Sequence, residues 1–193
     1  VYEEAIQGQV TTCSKVFRKP ISVITGGAGT GKTTVLEKLM KAMESASGDS
    51  ESFCLLAPTG KAADRIREKT GREAVTIHSF FQLPFSSFIP DFISDGLVQG
   101  NTKFESKETL KRHFHFNKTR QNLIRNVELL IIDEVSMLRA DLLDAIDWTL
   151  RNVRKNNNPF GGLQVLFIGD LLQLPPVIKP EEWSVLQKYY HGI

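Results

Sequence analysis

The chain has 193 residues, 41% hydrophobic and 24% charged, which is enough to bury a core and is most simply one domain with an insertion. Lys and Arg number 24 against 22 Asp and Glu, and a net charge of +2 is too small to demand a polyanion partner, so any nucleic-acid reading must rest on local residues. The two cysteines, Cys13 and Cys54, form no CxxC, no apolar run nears the roughly 18 residues that span a bilayer, and VYEEAIQG lacks a signal peptide's basic start and apolar middle. These features argue against a disulfide framework, a zinc site and a membrane protein, and they fit a reducing intracellular setting. Because the chain opens on Val1 rather than Met, an upstream segment is expected to be missing.

In chain order, the first strand-like run is ISVIT (21–25), followed by a glycine-rich stretch and then Val35, Leu36, Leu39, Met40 and Met43 at helical spacing. SASGDSES (45–52) reads as a surface loop and FCLLA (53–57) as a second strand. Residues 82–126 mix aromatics, prolines and basic side chains without a sustained period, and are expected to be an insertion carrying short strands or a hairpin. Within it Lys107, Lys111, Arg112, Lys118 and Arg120 form a basic side, open to DNA or simply solvated. His113 and His115 make an H-x-H with no evident partner ligand. LLII (129–132) and VLFI (165–168) supply two more strands. Between them Leu142, Leu143, Ile146, Leu150 and Val153 mark a helix with Asp141 and Asp144 near its start and Arg151, Arg154 and Lys155 near its end, as the helix dipole favours. KNNNPFGG (155–162) is a loop. None of the four apolar runs alternates with polar residues, as expected for a parallel sheet covered on both faces. The fold class is therefore α/β, a doubly wound sheet flanked by helices, with residues 1–81 and 127–193 forming one domain around the 82–126 insertion.

The glycine-rich stretch carries the clearest chemistry. GGAGTGKT fits G-x-x-x-x-G-K-[ST], after a strand and before a helix. The loop Gly26, Gly27, Ala28, Gly29, Thr30, Gly31, with Lys32, Thr33 and Thr34 at the helix start, is expected to cradle a triphosphate on backbone N–H groups. Lys32 would reach the β- and γ-phosphates, and the Thr33 hydroxyl would ligate Mg²⁺. A turn that merely joins strand to helix is the plain alternative. LLIIDEVSML brings Asp133 and Glu134 to a strand's carboxyl end, where Asp133 would hold the metal and Glu134 would polarise an attacking water. Alone, such a pair could be solvated loop residues. Gln173, in IGDLLQLPPV (168–177), has an amide able both to donate to a γ-phosphate and to accept from water, or it is a turn residue before Pro175 and Pro176. Thr59, Gly60 and Lys61 follow the second strand, where helix-start amides and a lysine can hold a phosphodiester. Phe80 and Phe81 could stack on bases, although such pairs are more often core.

APTGKAADRI (57–66), TIHSF (76–80) and IGDLLQLPPV, in this order around the phosphate loop and DEVSM, resemble the motifs of superfamily 1B DNA helicases. The resemblance is closest to the Pif1 helicases, relatives of RecD and Dda, with PFGGLQ (159–164) favouring Pif1. It implies the first of two RecA-like domains of a 5′-to-3′ DNA helicase using ATP and Mg²⁺, with residues 82–126 as an inserted subdomain bearing a wedge hairpin. It also implies single-stranded DNA contacts at Pro58, Thr59, Gly60, Lys61, Thr76 and His78, although His78 could equally be a core histidine. Gln9, 17 residues before Gly26, is the implied adenine reader, with Gln7 as the alternative. The implied partners are single strands and duplex or structured DNA junctions, for a monomer with no membrane role, placed in the cytoplasm of a bacterium or in a nucleus or mitochondrion. Repair, recombination, telomere maintenance and G-quadruplex work are further implications. The later motifs, including an arginine finger, are not in these residues, so weak or absent turnover is expected. The competing class is a P-loop ATPase or nucleotide switch that moves no DNA.

Overall fold

The computed structural model describes residues 2–27, 29–47, 53–83, 116–173 and 175–178, with isolated positions 180, 183 and 187. Five strands, β1 (Ile21–Thr25), β2 (Phe53–Ala57), β3 (Ala74–Thr76), β4 (Leu129–Ile132) and β5 (Gln164–Gly169), form one sheet. Its order is β1-β5-β4-β2-β3 and every pairing is parallel. The helices among the described residues are α1 (Tyr2–Val16), which precedes β1, then α2 (Lys32–Ser47), α3 (Gly60–Thr70), α4 (Ile77–Phe81), α5 (Lys118–Asn126) and α6 (Ala140–Arg154).

Successive strand residues point to opposite faces, and the two cores divide accordingly. Leu55, Ile131 and Leu166 pack with Leu36, Leu39 and Met40 of α2 and Ile66 of α3. Their neighbours Leu56, Ile132 and Phe167 pack on the other face with Ile77 and Phe81 of α4, Ile124 of α5 and Ile146 of α6. All four residues of β4 are buried, which is why that run reads as continuous Leu and Ile. Each such side chain is worth about 1.5–3 kcal/mol against leaving it exposed.

Several expectations are corrected. β1 does alternate, with Ile21 40% and Val23 56% exposed, because it pairs with β5 alone among the described residues and belongs to the sheet's rim. The loop read at 45–52 begins later: Ser45 lies in α2, its hydroxyl donating to the Lys41 carbonyl at 2.9 Å. The segment read as an insertion of short strands ends in α5, a helix whose Ile124 is fully buried against the same core as α6. Residues 84–115, with Lys107, Lys111, Arg112, His113 and His115, lie outside the described residues. Phe80 and Phe81 are both buried, their rings edge to face at 4.9 Å, so the core reading holds.

Two arginines join α5 and α6 end to end. Arg125 donates through Nε to the Val153 carbonyl at 2.9 Å. Arg154 donates through Nη1 to the carbonyls of Arg125 at 2.9 Å, Val127 at 3.1 Å and Ile124 at 3.3 Å, and through Nε to Gly161 at 3.1 Å. Each guanidinium thus satisfies carbonyls at the other helix's carboxyl end, which intrahelical bonding leaves open. Because several half-buried acceptors lose a charged donor at once, Arg154→Ala should destabilise the chain by about 2–3 kcal/mol in urea unfolding.

Candidate nucleotide site

The site begins where pairing continues past the strand ends. Gly26 N–H donates to the Gly169 carbonyl at 3.3 Å, and Asp133 N–H to the Leu56 carbonyl at 3.0 Å. Beyond Gly26 the backbone turns through Gly29 and Gly31 at φ +76° and +84°, a region only glycine enters without cost, and α2 starts at Lys32. The Lys32 ammonium donates to the carbonyls of Gly26 at 2.5 Å and Gly27 at 2.7 Å. The Thr30 hydroxyl donates to Gly27 at 2.8 Å. The loop is therefore braced from within by two of its own side chains.

After β4 the chain turns sharply. Glu134 sits at φ 56°, ψ 41°, a left-handed conformation that costs a non-glycine residue about 1 kcal/mol or more and clusters at functional sites. Its N–H donates to Asp133 Oδ1 at 2.8 Å, and a short 3-10 turn, Val135–Met137, follows. That turn presses on the end of β5 so closely that a Cβ on Gly169 would lie 2.9 Å from the Val135 nitrogen. The glycine of IGD thus lets the acidic turn settle against the sheet. Burial raises the Asp133 carboxyl above its ordinary range; the Glu134 N–H and the charges of Lys32 and Lys69 oppose the rise, while the Glu134 charge adds to it.

These parts enclose a cavity of about 660 Å³. Lys32 and Thr33 line it from the phosphate loop, Asp133 and Glu134 from β4, and Gln173 from the exit of β5, so the structure brings together all five residues assigned to nucleotide chemistry. Gly29, Thr30, Gly31 and Thr34 also line it. Gly26 and Gly27 act from behind, through the carbonyls that hold Lys32. Ala28 lies outside the described residues, as does the side chain of Gln9, whose backbone is in α1. Gln7 is exposed on the same helix. The hydroxyl of Thr33 and the carboxylate of Asp133 are hard oxygen donors facing one cavity, a set that suits Mg²⁺ completed by phosphate and water.

The residues implied for DNA sit at the same edge of the sheet but outside the cavity lining. Thr59 caps α3, its Oγ1 accepting from Ala62 N–H at 3.2 Å, and Thr76 caps α4, accepting from Ser79 N–H at 3.1 Å. Both hydroxyls therefore have structural work. Gly60 and Lys61 are exposed and Pro58 is half-buried. His78 is half-buried, its pKa lowered by burial and then by the charge of Arg139. Sequence reasoning missed four charged lining residues: Asp170, whose Oδ1 accepts from Leu172 N–H at 3.1 Å, and Arg65, Glu68 and Lys69 on α3. Their signal was the i, i+4 spacing of Arg65 and Lys69, which looks like an ordinary solvated face.

The AAA domain family matches residues 9–179. The chain belongs to this family. Its similarity to particular AAA-domain proteins follows the resemblance read from the motifs. It is 37% identical over 155 residues to the ATP-dependent DNA helicase PIF1 of Saccharomyces cerevisiae, covering 80% of this chain and 15% of that protein. Bacteroides Pif1 bound to single-stranded DNA superposes with a TM-score of 0.70 at 36% identity, over 95% of this chain and 36% of that one. Bacteroides Pif1 in complex with ADP-AlF4 gives 0.69 at 35%, with the same coverage. This AAA-domain chain is thus Pif1-like throughout most of its length and spans a small part of the relatives it matches.

Asp133 gives a pH test with a defined sign. Its folded pKa lies above that of an ordinary aspartate, so the folded state holds its proton more tightly, and its ionisation costs stability as pH rises through the folded pKa. Asp133→Asn should therefore raise the urea midpoint at pH 7, and the gain should vanish below pH of about 4, where the acid is neutral in both states. Glu134→Gly should add about 0.5–1 kcal/mol to stability in urea unfolding by relieving the left-handed backbone.

Proposed function

We propose that this chain is the ATP-binding motor segment of a 5′-to-3′ DNA helicase. The observation that carries the reading is the convergence of Lys32, Thr33, Asp133, Glu134 and Gln173 on one cavity beside the amino end of α2. The loop amides and the Lys32 ammonium bind the β- and γ-phosphates at the positive end of the helix. Mg²⁺ held by Thr33 and Asp133 would supply charge neutralisation of the phosphates. Glu134, set off the strand path by its left-handed backbone, accepts from the attacking water, and Gln173 senses the γ-phosphate. Polarity comes from the family resemblance, as do the adenine reader Gln9, action on duplex or structured junctions, the monomeric state, an intracellular location, and roles in repair, recombination, telomere maintenance and G-quadruplex processing.

Single-stranded DNA is assigned to Pro58, Thr59, Gly60, Lys61, Thr76 and His78, at the carboxyl edge of β2 and β3. Leu171, Leu172 and Val177 are large apolar side chains left 61%, 97% and 86% exposed around Gln173. They support a reading in which a further domain closes over this side in the whole protein. An arginine brought by such a domain is worth about 10³–10⁵ in rate in other P-loop enzymes, so the 193-residue chain alone should bind ATP yet turn it over very slowly.

A titration of a fluorescent oligonucleotide separates this reading from a nucleotide switch that moves no DNA. Single-strand binding should weaken with salt, and Lys61→Ala with Thr59→Ser, which keeps the α3 cap, should flatten that dependence by about 0.7 in log–log slope. A chain that binds ATP but no oligonucleotide at low salt speaks for the switch. Rapid steady-state turnover by the chain alone would refute the proposed need for a second domain.

A further inference from the structure

The wall of the cavity that α3 supplies carries two cations, Arg65 and Lys69, and one carboxylate, Glu68. Arg65 and Lys69 are four residues apart, hence on one helical face, and both line the cavity with Lys32, Asp133 and Gln173. The other arginines nearby are committed to structure: Arg67 to the Ala74 carbonyl at 2.8 Å and to Asp64, Arg72 to both carboxylate oxygens of Glu44. Among the described residues, no hydrogen bond or ion pair engages Arg65 or Lys69. Both are exposed, and both can swing from the helix toward an anion in the cavity. Lys69 also stands near enough to Asp133 for its charge to act on that carboxyl. The pair therefore faces the cavity that holds the acidic residues of the site, where the outermost phosphate of a bound nucleotide would lie.

We propose that Arg65 and Lys69 bind the terminal phosphate of the nucleotide, making α3 the element that distinguishes a triphosphate from a diphosphate. This rests on the reading of the cavity as a nucleotide site. Two exposed charge-assisted contacts to a group that only the triphosphate carries should change its affinity and leave the diphosphate's nearly untouched.

Calorimetric titration of the 193-residue chain with AMP-PNP and with ADP, both in Mg²⁺, tests this directly. The double variant Arg65→Ala with Lys69→Ala should bind AMP-PNP about tenfold more weakly and ADP within about twofold of wild type. Lys69→Arg should stay near wild type, and Lys41→Ala, which removes an exposed charge from α2 away from the cavity, should change neither affinity. The thermal midpoint reports that the double variant is folded. Equal losses for both nucleotides, or an unchanged AMP-PNP affinity, would overturn the inference and leave the site intact. A wild-type chain that binds neither nucleotide would overturn the site reading and the inference together.

Discussion

Backbone pairing at the carboxyl edge of this sheet runs one residue past the strands, and the geometry of the site follows from that. Gly26 remains bonded to Gly169, and Asp133 to Leu56, so the first loop residue and the first carboxylate inherit the register of the sheet rather than the freedom of a loop. Parallel strands make this possible, because every carboxyl end falls on the same side. A group fixed by a ladder bond is placed far more tightly than one at the tip of a flexible connection, and catalysis by positioning depends on such placement. The contact between Gly169 and the Val135 backbone adds the third coordinate by pressing the acidic turn against β5. A side chain there would push that turn away and carry Glu134 with it.

The groups assigned to chemistry are those that fit least comfortably. Asp133 is a carboxylate whose burial raises its pKa, and its neighbour Glu134 holds a left-handed backbone without being glycine. Each is locally unfavourable, and the unfavourable terms lie within a few residues of one another in space. The stabilising terms are elsewhere: two apolar layers on either face of the sheet, and the crossed arginine contacts of α5 and α6 on the side where α4 to α6 pack. A strained edge held by a well-packed body is the arrangement expected when position, not stability, is what an edge must deliver.

Legibility in the sequence followed the strength of local constraint. The central strands were readable because burial on both faces leaves uninterrupted Leu, Ile and Val, and the phosphate loop because its glycines and lysine answer to backbone geometry within a few residues. β3 was missed because AVT is three residues long, too short to show a period. α5 was folded into the insertion because KTRQNLIRN presents a single buried position, Ile124. The rim status of β1 depends on pairing between residues 21–25 and 164–169, which no local pattern encodes. Nothing in the letters DE announces that Glu134 turns left-handed, since that conformation is imposed by the turn packing on Gly169. The α3 wall was hidden for a related reason. Arg65 and Lys69 have the spacing of any solvated helix, and only the packing of Ala62 and Ile66 into the core turns their face to the cavity.

That packing gives α3 a further property. The helix is 11 residues long, about 16 Å at 1.5 Å per residue. Its capped start carries Thr59, Gly60 and Lys61, and its later turns carry Arg65 and Lys69. A short helix anchored to the sheet by Ala62, Ala63 and Ile66 moves as a unit, because bending it would break its own ladder. If the terminal phosphate pulls on one portion of such a rod, the other portion shifts with it by a comparable amount. The segment assigned to single-stranded DNA is then coupled to nucleotide state through one rigid element, without a chain of intermediate side chains. Coupling of this kind needs only that the two ligands prefer different positions of the same helix, and the loss of the γ-phosphate on hydrolysis would supply that difference.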